Sequence, residues 1–198
     1  MSLPEQYLRS ISREEMAALP IRRYEGEILL VEDARALAQA AEAIQRDEVV
    51  GFDTGTRPSF RPGESHPPAL VQVATAGAVY LFPLLRLDCS AALAPLLSAR
   101  GILKTGISLA DDLKKLKASI AFTEAAVLDL GRVAQRHGLK QTGLRNLTGI
   151  FLGTRVPKGA KTTNWAAPRL SPQQITYAAT DAWACRELYL RFRELGLI

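Results

Sequence analysis

The sharpest apolar signal in the chain is Val49-Val50-Gly51-Phe52-Asp53, a short β-favouring run that predicts a strand. Residues 57–68 carry four prolines and a glycine and cannot continue it, so a loop follows directly. On that pattern Asp53 sits at the strand's end, at the mouth of the loop. Upstream, 27–31 is a second short apolar run. Asp33 then opens an alanine-rich stretch with Leu37, Ala41 and Ile44 at helical spacing, which predicts a strand followed by a helix. Residues 70–74 and 78–82 are two more β-favouring runs joined near Gly77, so three strands are expected to form an antiparallel meander.

From Cys89 onward helical periods dominate. The run 101–105 interrupts them as a further strand that delivers the chain into a helix at Ser108. Later helices are expected over 129–136, 144–151 and 172–195. Near the start, Ser12 and Glu15 have capping-box spacing and Ile11 can staple onto Met16, which predicts a helical appendage over 1–24 ahead of a domain over 25–198. Strands first and helices interleaved later describe an α/β fold: a mixed central sheet with an antiparallel meander and helices on both faces. No internal repeat, low-complexity tract or shift in composition marks a second domain.

Composition changes this picture little. With 198 residues, 47% hydrophobic and 23% charged, the chain has the makings of one well-filled core. Lys and Arg (25) exceed Asp and Glu (20), a small excess that permits an anionic partner such as nucleic acid without requiring one. Cys89 and Cys185 are far apart, and neither forms a CxxC pair or has a neighbouring histidine, which argues against a disulfide framework and a thiolate zinc site and makes a reducing cytoplasm the expected setting. The opening MSLPEQYLRS does not read as a signal peptide, and no window is long and apolar enough to span a bilayer. His66 and His137 are isolated and suggest no metal site.

Three carboxylates stand out. Asp53 ends an apolar strand, a position that suits a turn-forming Asp as well as a ligand. Asp112 lies three residues after Leu109 and four before Leu116, so it borders the stripe of Leu109, Leu113 and Leu116, while Asp111 is rotated away. A carboxylate there needs a cation or a metal ion, although the helix dipole would also favour a solvated acidic pair. Tyr177 and Asp181, four residues apart, share one helical face flanked by alanines and can serve one small site, or simply cap the edge of a core helix.

Taken in order, a strand-borne Asp53, Lys104-x-Gly106 ahead of Asp112, and Tyr177-x-x-x-Asp181 resemble the DEDD 3′-5′ exonuclease superfamily in its Tyr-containing branch. The likeness is to RNase D and Werner-type exonuclease domains and is strongest in GFDTGTRP, KTGISLADDLKKL and NWAAPRLSPQQITYAATDAWACRELY. The other branch has His where Tyr177 stands. The resemblance implies an RNase H-like fold and a nucleic acid with a 3′ end, DNA or RNA, as partner. It also implies two divalent ions, Mg²⁺ or Mn²⁺, about 4 Å apart, that stabilise the attacking and leaving oxygens of phosphodiester hydrolysis. Asp53 would bridge both ions, Asp112 would serve the second, Asp181 would bind the first, and Tyr177 would orient the attacking water.

The departure is Asp53-Thr54-Gly55, where the family has Asp-x-Glu. Gly55 has no side chain to offer a metal, and hard cations depend on anionic oxygen ligands, so weakened metal binding and strongly reduced hydrolysis are expected. Two explanations stay open: an altered form of an active enzyme, or a domain that binds without cutting. The retention of Asp53, Asp112, Tyr177 and Asp181 favours the first. Arg57, Phe60 and Arg61 follow the first motif and could pair phosphate and stack a base. Lys158, seven residues before Trp165, matches a lysine that recurs before the NW or DW pair, and with Arg155 and Lys161 it forms a basic loop suited to phosphate or to solvent. Trp165 itself reads as a core aromatic.

Overall fold

The computed structural model describes residues 3–158 and 163–198. Its centre is a six-stranded mixed sheet. The strands are β1 (Glu27–Leu30), β2 (Val49–Thr56), β3 (Pro68–Ala74), β4 (Ala78–Pro83), β5 (Leu103–Gly106) and β6 (Val127–Asp129). Their spatial order is β1-β4-β3-β2-β5-β6, with β2-β3-β4 antiparallel and the flanking pairs parallel. The expected meander is therefore present, and the parallel strands are reached through helices, as parallel crossovers require.

The helices are α1 (Arg13–Ala18), α2 (Ala34–Gln45), α3 (Ser90–Ser98), α4 (Leu109–Leu116), α5 (Leu130–Arg136), α6 (Leu144–Leu152) and α7 (Pro172–Glu194). Strand alternation sorts the core into two layers. Val50, Phe52, Val71, Val73 and Phe82 bury against α2, α3 and α4 on one face. On the other, Leu70, Ala74, Val79 and Leu81 meet Ala178, Ala179 and Ala182 of α7. Each fully buried Leu or Phe contributes about 2 kcal/mol. Among the described residues no helix is long and apolar enough to cross a membrane.

The start of α7 is written locally: Ser171 accepts from the Gln174 amide, Gln174 reaches back to the Ser171 amide, and Pro172 occupies the first turn. The capping box expected at Ser12 is likewise formed with Glu15. Tyr7, Ile11 and Met16 are buried in a third cluster with Leu147, Phe151 and Phe192, and Tyr7 stacks on Phe151. Lys104 is fully buried, donates from Nζ to the Ala99 carbonyl at 2.7 Å and has its pKa pushed down to about 8 by burial, so it fastens β5 to the end of α3.

Two elements have no counterpart in the sequence pattern: the three-residue β6 and a 3₁₀ turn over Glu5–Tyr7. One sequence expectation is corrected. Asp53 is not at the end of its strand, because β2 runs on to Thr56. Partners on β3 extend the ladder, with Gly55 opposite Leu70 and, past a bulge, Thr56 opposite Pro68. A proline can open a strand because its missing N–H need not be paired there, so the loop spans fewer residues than its prolines imply.

Candidate active site

The site begins with how closely α7 lies on β2. A Cβ built on Gly51 would come 1.9 Å from the Ala182 carbonyl oxygen, so only glycine lets the helix backbone settle there. Gly51, Asp53 and Gly55 alternate with the core residues Val50 and Phe52 and therefore face α7. The neighbour of Ala182 on α7 is Asp181. The close approach brings its carboxylate into electrostatic range of Asp53.

Asp112 arrives from α4. Leu109, Leu113 and Leu116 are buried, Asp112 is half-buried and Asp111 is exposed. Asp111 is paired with Lys115 at 2.8 Å. The structure thus sets Asp53 within electrostatic range of both Asp112 and Asp181, which come from helices on opposite faces of the sheet.

The electrostatics are those of converging acids. Burial pushes the Asp53 carboxyl up to about 7, against the pull of the Thr54 amide, which donates to it at 2.9 Å, and with a further push from Asp112. Asp181 is raised well above the usual carboxylate range by burial and then by the charge of Asp53. Asp112 is raised by burial, with Thr54 and Lys115 drawing it back. Among the described residues no basic group offsets the rise of Asp53 or Asp181. Two half-buried carboxylates that repel each other, with no positive neighbour offsetting them among the described residues, suit a bound cation, which would relieve both burdens.

The donor set is nevertheless sparse. Among the described residues no three His, Cys, Asp or Glu side chains converge closely enough to hold a metal ion. The position where the family carries Glu is also filled differently. A Cβ on Gly55 would lie 2.6 Å from Cγ of Trp165, whose half-buried indole covers the glycine and packs on the cluster around Leu70 and Ala178.

Tyr177 sits one turn before Asp181, half-buried, its hydroxyl accepting from Gln173 Nε2 at 3.1 Å. Arg57, Phe60 and Arg61 lie on the exposed loop after β2, with Phe60 73% exposed. Glu64 organises that loop by accepting from the amides of Phe60 (2.9 Å) and Arg61 (3.3 Å) and by meeting His66 at 3.0 Å. His137 meets the Leu197 carbonyl. Lys158 is exposed and Arg155 half-buried, while Lys161 lies outside the described residues.

Two site residues were missed from the sequence. Gln72 stands directly opposite Asp53 in the β2-β3 register, is buried, and leaves Oε1 without a hydrogen-bond partner among the described residues. The clue is a lone amide in the apolar run Leu70-Val71-Gln72-Val73-Ala74, since a buried amide normally finds partners. Cys185, one turn beyond Asp181, is buried, and its thiol pKa is raised by burial and by Asp53 and Asp181. The signal is its spacing, four residues after Asp181 on the same helical face as Tyr177.

Residues 28–196 match the 3′-5′ exonuclease family. The chain belongs to that family. Within the DnaQ-like 3′-5′ exonucleases it is related to the exonuclease domains of RNase D, Werner-type and mut-7 proteins. It is 32% identical over 174 residues to the human exonuclease mut-7 homolog, covering 74% of this chain and 20% of that protein. It is 29% identical over 204 residues to a 3′-5′ exonuclease of Arabidopsis thaliana, covering 93% and 70%. The chain therefore spans a fifth of the human relative and most of the plant one. The fold matches that of the Nibbler EXO domain of Aedes aegypti, with a TM-score of 0.76, 24% identity and coverage of 90% and 92%. It also matches Escherichia coli RNase D, with a TM-score of 0.74, 19% identity and coverage of 88% and 47%. The α/β architecture and its mixed sheet are those of the RNase H-like exonucleases.

Proposed function

We propose that this exonuclease domain takes the 3′ end of a DNA or RNA strand at Asp53, Asp112 and Asp181 and hydrolyses its terminal phosphodiester with Mg²⁺ or Mn²⁺, in a form impaired at Gly55. The observation that carries the reading is the cluster of raised carboxylates around Asp53, with no basic group among the described residues offsetting Asp53 or Asp181. Asp53 and Asp181 would hold a cation, and when bound it supplies a Lewis acid for the scissile phosphate and its water. Tyr177 would orient that water, held in place by Gln173. Arg57 and Lys158 would pair with phosphates, and Phe60 would stack a base at the entrance.

The contact of Trp165 with Gly55 favours a second reading, in which the domain binds a 3′ end without cutting it. A ring packed on the glycine leaves no room for a carboxylate unless it moves.

Digestion of 5′-labelled single-stranded DNA and RNA with Mn²⁺, Mg²⁺ or EDTA distinguishes the two. The chain itself is compared with Gly55→Glu and with Gly55→Glu/Trp165→Ala, which clears the space. The expected result is a ladder shortening from the 3′ end, faster by about 100-fold or more once the glutamate is present, equivalent to about 2.7 kcal/mol of barrier. Equal rates in all three would show that Gly55 impairs nothing, and silence in all three would leave the binding domain as the function. Phe60→Ala is expected to weaken single-strand binding about tenfold, within the range for loss of one stacked base, as read by fluorescence anisotropy in EDTA.

A further inference from the structure

Away from the carboxylates, a cavity of about 590 Å³ opens between α1, the start of α6 and the segment that follows α6. Its lining includes Arg13, Arg145, Arg155 and Lys158, together with Gln141 and Asn146, and among the described residues no acidic one. The nearby Glu15 is already engaged, by Arg9 at 2.9 Å and by the Ser12 amide at 3.3 Å. Arg145 and Arg155 each have a buried Nε with no hydrogen-bond partner among the described residues. Four positive charges line one cavity, Arg145 and Arg155 half-buried and Arg13 and Lys158 at exposed positions; like charges repel, and an unpaired buried donor is costly. An anion in the cavity would offset the repulsion, and each guanidinium carries further N–H donors that could serve it.

The walls are built rather than draped. Gln141 accepts from the Ile11 amide at 2.7 Å and donates to the Ile11 carbonyl at 3.1 Å, locking the N-terminal segment to the approach to α6. Arg155 is held through its backbone on both sides: its amide donates to the Pro20 carbonyl at 2.8 Å and its carbonyl accepts from the Arg22 amide at 2.9 Å. The arginines therefore hang from fixed backbone, which lowers the ordering cost of binding.

We propose that this cavity is a phosphate-binding site separate from the catalytic carboxylates. Paired guanidinium forks match phosphate oxygens in geometry as well as charge. The volume is in the range of pockets that hold a ligand far larger than a lone oxyanion, which points to phosphate carried on a nucleotide unit. Two sources share that chemistry, a phosphodiester of a bound strand and a free nucleotide. Position favours the strand. Lys158 at the cavity is seven residues from Trp165 over Gly55, so their Cα atoms are at most about 25 Å apart, and one strand could reach both places. The choice of the strand rests on the proposed function; the phosphate site does not.

The test uses the full chain in EDTA, where cleavage plays no part. Binding of a fluorescent 12-nucleotide single-stranded RNA and DNA is read by anisotropy across a salt series, and binding of adenosine 5′-monophosphate and inorganic pyrophosphate by calorimetry. The Arg145→Gln/Arg155→Gln double variant is compared with the unaltered chain, with circular dichroism as the check on folding. Arg145→Lys/Arg155→Lys keeps the charge but not the fork, and takes its place should the glutamine variant misfold.

For the glutamine pair we expect oligonucleotide affinity to fall at least tenfold and the slope of log affinity against log salt to shrink by about 1.4, about 0.7 for each single-strand phosphate contact. For the lysine pair we expect a smaller loss of affinity with the slope retained. Unchanged oligonucleotide binding with loss of nucleotide and pyrophosphate binding keeps the site and assigns it to the free ligand. If the unaltered chain ignores oligonucleotides yet binds pyrophosphate through these arginines, the nuclease reading fails and the phosphate site stands. No change in any probe in a folded variant overturns the site.

Discussion

Gly51→Val is expected to lower the thermal midpoint by about 6–12 °C or to prevent folding altogether. The added Cβ would sit 1.9 Å from the Ala182 carbonyl oxygen, a backbone atom of α7 that has no rotamer to escape into. Overpacking of this kind costs about 3 kcal/mol, and a domain of this size loses about 2–4 °C for each kcal/mol. Relief by sliding α7 outward would separate Asp181 from Asp53, so any folded remnant should also lose cation-dependent stabilisation. A calorimetric scan with and without Mg²⁺ reads both effects. A midpoint within 2 °C of the unaltered chain would mean that the helix does not rest on this glycine.

The second large effect concerns charge. Asp53→Asn is expected to stabilise the cation-free protein at pH 8 by roughly 2–4 kcal/mol. The sign follows from the direction of the shift. Asp53 has its folded pKa raised from 3.8 to about 7, so between those values the folded chain holds a proton that the unfolded chain has released. Stability therefore falls as pH rises through this window and levels off above it. Asparagine occupies nearly the same volume without the charge, so its profile should be flatter across pH 4 to 8. A divalent cation should raise the midpoint of the unaltered chain most above pH 7, where the carboxylate it needs is already ionised, and should do little for Asp53→Asn. Thermal scans in EDTA and in Mg²⁺ at four pH values test this; a flat profile for the unaltered chain would show that Asp53 ionises without penalty.

Much of the architecture was legible one residue at a time. The meander from β2 to β4, the capping box at Ser12, and the stripe that leaves Asp112 at the edge of α4 all depend on neighbours within a few positions, where periodicity and capping chemistry act directly. The candidate carboxylates were legible too, because each sits at a position its own element defines: Asp53 on an apolar strand, Asp112 beside a leucine stripe, Asp181 one turn beyond Tyr177.

What the sequence could not contain was the set of contacts between elements distant along the chain. The length of β2 past Asp53 was decided by its pairing with β3, which a count of prolines in the loop does not reveal. The placement of Gln72 opposite Asp53 is a matter of register, and that of Cys185 near Asp53 a matter of helix docking. The absence of a glutamate at position 55 was visible in the letters, but the ring of Trp165 lying over the glycine, 110 residues away in the chain, was not. The same holds for the cavity where Arg13, Arg145 and Arg155 converge. Sequence alone determined which residue types and local elements this protein has; tertiary packing decided which of them share a site, because burial, charge repulsion and steric exclusion act through space.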